Sequence, residues 1–200
     1  MNQQIDHNPT DLEALQRRDK QAFTQLVDRE SERIYRLALK MVGNIQDAED
    51  VLQETFIKAY DNIKGFEGRS KVSTWLYRIA VNESLMLLRK RKDNITSIDA
   101  GAETDQGEFL PKQIVDWCCL PEKELMSSEA SEFISNAMRK LSDSNRAAFL
   151  LRDVEGLSTR EAAETLAISE SALKIRLMRA RMQLREELTT FFADKVPKEL

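Results

Sequence analysis

"LKIRLMRARMQLR", residues 173 to 185, gathers Lys174, Arg176, Arg179, Arg181 and Arg185 into thirteen positions of a 200-residue chain whose net charge is −4. Leu173, Leu177, Ala180, Leu184 and Leu188 recur there at steps of three and four. At about 100° per residue they share an arc of about 80°, the stripe that a helix buries. Lys174, Arg181 and Arg185 flank that stripe on one side and Arg176 on the other, while Ser171, Ile175, Met178 and Arg179 turn outward. Cations therefore bracket an outward face that also holds Ile175 and Met178, two side chains that open solvent does not favour. Such a face suits the DNA major groove, with flanking cations on phosphates and the N-terminal half at base edges. A merely solvated cationic helix is the alternative that these thirteen residues leave open.

The preceding residues place this helix in a motif. In SDSNRAAFLLRDVEG, residues 142–156, Ser142 and Ser144 are candidate N-caps, Ala148, Phe149, Leu151 and Val154 supply apolar positions, and Gly156 suits a helix stop. In LSTREAAETLAISES, residues 157–171, Ser158 with Glu161 forms a capping box opening a short helix. Its Ala162, Ala163 and Leu166 can pack closely on a neighbour. A short helix, a tight turn at Ala167-Ile168-Ser169 and a long basic helix make a helix-turn-helix.

Composition extends the reading to the whole chain. With 42% hydrophobic residues but only six Gly and four Pro, the chain can bury a core and reads as nearly all helix. Helical periodicity runs from about residue 11 to 92 and again from about 127 to 192. The expected architecture is all-α, two small helical domains joined by a flexible acidic linker over 93–126. From Asp93 to Ser128 eight carboxylates face two lysines, a net of −6, so that stretch alone is more negative than the chain. The acidic total averages segments of opposite sign.

No apolar run approaches the roughly 18 residues of a membrane span, and the first residues lack the features of a signal peptide, which points to the cytosol. Cys118 and Cys119 are adjacent, a poor geometry for a disulfide, and read as free thiols. His7 is the one histidine. With no phosphate-cradling glycine loop, no nucleophile with a base and no ligand cluster, an enzyme, a metal and a cofactor are all unexpected.

The first domain carries its own pattern. In NIQDAEDVLQETFIKAYDNIKGF, residues 44–66, Ala48, Leu52, Thr55, Phe56, Ala59 and Ile63 form one stripe, leaving Asp47, Asp50, Gln53, Glu54 and Asp61 outward. Asp50, Gln53 and Glu54 are neighbours on that surface, either a solvated face or a docking one. In GFEGRSKVSTWLYRIAVNESLMLLRKRK, residues 65–92, Gly65 and Gly68 bracket a loop expected to carry Phe66 and Arg69 at its tip. Trp75, Leu76, Ile79 and Leu87 read as core, and Arg78, Asn82, Arg89, Lys90, Arg91 and Lys92 give the helix a basic side.

These blocks carry a resemblance. EGLSTREAAETLAISESALKIRLMRARMQLREEL resembles region 4 of the sigma-70 family of bacterial transcription initiation factors, in its small extracytoplasmic-function (ECF) subfamily. DAEDVLQETF resembles region 2.2 of the same family, and the stretch after it regions 2.3 and 2.4. Three positions depart from the family pattern: Ile175 replaces a small polar residue, Met178 a histidine or aromatic, and Ala167 a turn glycine. The resemblance implies an alternative sigma factor that binds core RNA polymerase, through the largest-subunit clamp helices and the beta-subunit flap, and promoter DNA. It implies polymerase contacts at Asp50, Gln53 and Glu54. It implies −10 element contacts at Phe66, Arg69, Arg78, Asn82, Arg89 and Arg91. For the −35 element it implies Ser171, Lys174, Ile175, Arg176, Met178, Arg179 and Arg181. An anti-sigma factor is the implied inhibitor, and the linker is either a strand in a basic polymerase channel or an inert tether. A dimeric helix-turn-helix regulator that binds a palindrome without polymerase is the competing reading of the C-terminal half.

Overall fold

The computed structural model describes residues 9–96 and 128–193, and among these there is no strand. In the first half α1 (Pro9–Gln16), α2 (Lys20–Val42) and α3 (Ile45–Asn62) lead through a 3₁₀ turn (Ile63–Gly65) to α4 (Val72–Thr96). Local chemistry sets these boundaries. The Asp19 side chain accepts from the Ala22 N–H to start α2, and Asn44 accepts from Asp47 to start α3. Between them Gly43, at φ 81°, donates its N–H to the Leu39 carbonyl and closes α2 in the left-handed conformation that glycine adopts at no steric cost. Helices α2, α3 and α4 pack on one another, burying Ile34, Leu37 and Met41 of α2, Val51 of α3 and Leu76 of α4 in one core together with Ala48, Ala59 and Ala80.

The second half consists of α5 (Ser128–Lys140), α6 (Asp143–Phe149), a wider π turn (Leu150–Val154), α7 (Thr159–Thr165) and α8 (Glu170–Ala193). Ser142 caps α6, and the capping box of Ser158 with Glu161 is formed in both directions. Accepting the Ser158 hydroxyl and backbone N–H holds the Glu161 carboxyl below its ordinary pKa. Leu173, Leu177, Ala180 and Leu184 are buried, as the stripe requires, and Leu188 is half-buried. Val154, expected on the apolar side, is exposed because the π turn rotates it outward. Helix α4 continues to Thr96, four residues into the expected linker. The rest of that linker, with Cys118 and Cys119, and also His7, lies outside the described residues.

The two halves pack against each other, α2 on α5 and α6 and α4 on α6 and α7. Arg146, only 6% exposed, sits at this seam. Its Nε donates to the Met138 carbonyl at 3.0 Å, and its Nη2 to the carbonyls of Arg139 at 3.1 Å and Leu141 at 3.0 Å. Its Nη1 donates to the Met41 carbonyl of α2 at 2.5 Å. Met41, Met138 and Arg139 lie in the last turns of α2 and α5, where carbonyls have no partner within their own helix and the dipoles end negative. The guanidinium fork thus meets two helix ends at once. Burial lowers its pKa, the nearby Asp143 carboxylate works against that, and the group stays cationic. Three further bridges cross the seam: the Tyr77 hydroxyl donates to Glu155 at 2.7 Å, Arg33 lies 3.8 Å from the same carboxylate, and Lys92 meets Asp143 at 2.8 Å.

Replacing Arg146 with Ala leaves the Met41, Arg139 and Leu141 carbonyls without this donor, while Met138 keeps the Leu141 N–H, and is expected to lower stability by about 3 kcal/mol. Lys restores little, because one ammonium cannot span carbonyls that a fork reaches together. Urea unfolding followed by circular dichroism measures both variants.

Candidate functional site

Three surfaces hold the residues expected to make contacts. The first is α8. Its entry is a tight turn in which Ala167 holds φ 52°, the left-handed region that an L residue rarely adopts. Ser169 then caps the helix, its Oγ accepting from the Ala172 N–H at 3.1 Å and lying 3.0 Å from the Ser171 Oγ. Beyond the cap, Ser171, Lys174, Ile175, Met178, Arg179, Arg181 and Arg185 are exposed and Arg176 is half-buried. Among the described residues no carboxylate pairs with Lys174, Arg176, Arg179 or Arg185. Arg181 differs. Its Nε and Nη2 grip the two oxygens of Asp153 at 2.9 and 2.7 Å, which raises its pKa and ties α8 to the π turn.

The second surface is one side of α4 and the loop before it. Arg78, Asn82 and Arg89 are exposed, and their spacing places them within an arc of about 40°. Arg91 faces elsewhere and pairs with Asp47 of α3, so the expected single basic side of Arg78, Asn82, Arg89, Lys90, Arg91 and Lys92 is corrected: the helical period turns Arg91 away. The expected position of Phe66 is corrected too. Rather than standing at the loop tip, its ring is 7% exposed and lies against Trp75 with centroids 5.0 Å apart. The 3₁₀ turn draws it inward, through its N–H to the Ile63 carbonyl, and Gln16 donates to its carbonyl at 2.7 Å. Burial of a large apolar ring outweighs its exposure at a tip. What the loop presents is Arg69, exposed and paired with Glu67.

The third surface is the outer side of α3. Asp50 and Gln53 are exposed, and Glu54 is half-buried with Lys58 at 3.3 Å. Lys58 also bonds Glu83 of α4 at 2.6 Å, the larger cause of its raised pKa, so Glu54 shares its cation while Asp50 does not. Ile57 stands among these polar groups at 55% exposure. It was missed in the sequence, where an apolar residue on a polar stripe was the available signal.

Comparison with known proteins places all three surfaces in one context. The family description "Sigma-70 region 2" matches residues 26–93, and "Sigma-70, region 4" matches residues 134–184. The ECF RNA polymerase sigma factor SigW of Bacillus subtilis is 38% identical over 88% of this chain and 94% of its own length. The ECF RNA polymerase sigma-E factor of Haemophilus influenzae is 33% identical over 88% of this chain and 93% of its own. Among solved structures, the sigma factor RpoE of Bartonella quintana, crystallised with the anti-sigma factor NepR, aligns with a TM-score of 0.63 at 25% identity. That alignment covers 84% of this chain and 96% of RpoE. Among the described residues no helix is long and apolar enough to cross a membrane.

The turn ahead of α8 yields a direct test of local strain. Ala167→Gly removes a left-handed L residue and is expected to stabilise the protein by about 1 kcal/mol, read as a higher urea midpoint at unchanged slope.

Proposed function

Because this chain belongs to the sigma-70 family, in its ECF subfamily, we propose that its three surfaces divide the work of directing core RNA polymerase to promoters. The first domain, about residues 11–92, takes the polymerase clamp on Asp50, Gln53 and Glu54 and engages the −10 element through Arg69, Arg78, Asn82 and Arg89. The second, about 127–192, reads the −35 element as duplex from α8. The intervening residues connect the two grips, and the protein acts in the cytoplasm. It works by binding, without a catalytic step of its own. An anti-sigma factor holds it inactive, a reading supported by the partner present with RpoE.

One observation carries the proposal: exposed carboxylates on α3 and unpaired cations on α8 occur in a single chain. Opposite signs on separate helices suit partners of opposite charge, a basic protein surface and nucleic acid phosphates. A dimeric regulator would use the second half alone and leave the match over residues 26–93 without a role. Within this scheme Arg91 and Phe66 support the −10 surface, the one by tying α4 to α3 and the other by anchoring the loop. Arg181 likewise fixes the pose of α8.

The test is purified protein with core polymerase on promoter DNA, scored for transcription and strand opening. Asp50→Lys with Glu54→Lys is expected to weaken core binding at least tenfold, with stability changed by under about 0.5 kcal/mol per substitution. For duplex binding, Lys174→Ala and Arg179→Ala are each expected to lower the log–log salt slope by about 0.9. Arg181→Ala leaves it unchanged.

A further inference from the structure

On the reading that α8 enters the major groove, we propose that Ile175 and Met178 make this protein a reader of thymine methyl groups in its −35 element. Both lie in the first three turns of α8, the part that a groove admits, at 48% and 54% exposure. They project to the side opposite the buried Leu173 and Leu177, between Lys174 on one edge and Arg179 on the other. Neither offers a hydrogen-bond donor, and the Met thioether is a weak acceptor at best. They therefore cannot bond the acceptors of guanine, and they answer neither the amino group of cytosine nor that of adenine. The one apolar group that any base pair presents in the major groove is the thymine C5-methyl. A surface of two large apolar side chains ringed by cations matches that methyl in a frame of phosphates. Positions three apart rise about 4.5 Å along the helix, close to the roughly 3.4 Å step between base pairs, so the two contacts fall on neighbouring pairs.

The experiment uses the full chain with core polymerase. Promoter duplexes carrying a randomised −35 window are selected for binding, and the recovered sequence is remade with deoxyuridine at each thymine in turn. Selected thymines on neighbouring pairs are expected, with one or both deoxyuridine replacements weakening binding about fourfold, the value of one buried methyl. Ile175→Ser and Met178→Ser, both on exposed positions, are expected to abolish that sensitivity while circular dichroism stays unchanged. Deoxyuridine without effect on the unmodified protein overturns the methyl contact while a selected −35 sequence leaves the duplex-reading role standing. Sensitivity that survives both serine variants also overturns it. A window that selects no sequence overturns the duplex reading and the methyl contact together.

Discussion

A buried guanidinium is the constraint on which the arrangement of the two halves depends. Helices α2 and α5 end near each other with carbonyls that no helical N–H can reach, and bringing two such ends together is unfavourable unless a cation lies between them. Arg146 supplies it, from a position on α6 that Ser142 fixes by capping. Polar bonds from Tyr77 and Arg33 to Glu155 and from Lys92 to Asp143 join it, alongside an apolar core that runs through both halves. Bonds of this kind require orientation. They add an angle to the distance that the shared apolar core sets between the halves.

Around that joint the charge is sorted by element. Helix α3 turns Asp50 outward without a cation, while Asp47 of α3 and Glu83 of α4, nearer the core, are matched to Arg91 and Lys58. On α8 the order is inverted: Arg181 is matched internally, and the cations left open lie along the helix edges. Structural ion pairs thus consume the charges that face neighbouring elements. Among the expected contact residues, those left unpaired are carboxylate on α3 and cationic on α8, and an unpaired charge is the form that attracts a partner at a distance.

How far the sequence was legible follows from the range of the forces involved. The α8 stripe, the Ser158–Glu161 box and the Gly156 stop depend on residues within one or two turns, and they stand as read. Asp50, Gln53 and Asn82 are exposed as their helical period implied. Phe66, Arg91 and Arg181 departed from expectation because their partners, Trp75, Asp47 and Asp153, lie on other elements, and no local pattern announces a pairing that only the tertiary fold creates. The seam was illegible for the same reason: nothing around Arg146 shows that α2 will end beside it. Ala167 is the opposite case, a position that the family resemblance marks as one for a turn glycine and where the backbone has a positive φ.

The π turn between α6 and α7 joins two of these themes in one short segment. Asp153, within it, grips Arg181 of α8, and Glu155, one residue past its end, accepts the Tyr77 hydroxyl of α4. Two residues of backbone therefore separate the attachment to the first half from the attachment to α8. The segment is thus a shared bracket: the same short piece of backbone that meets α4 of the first half also seats α8.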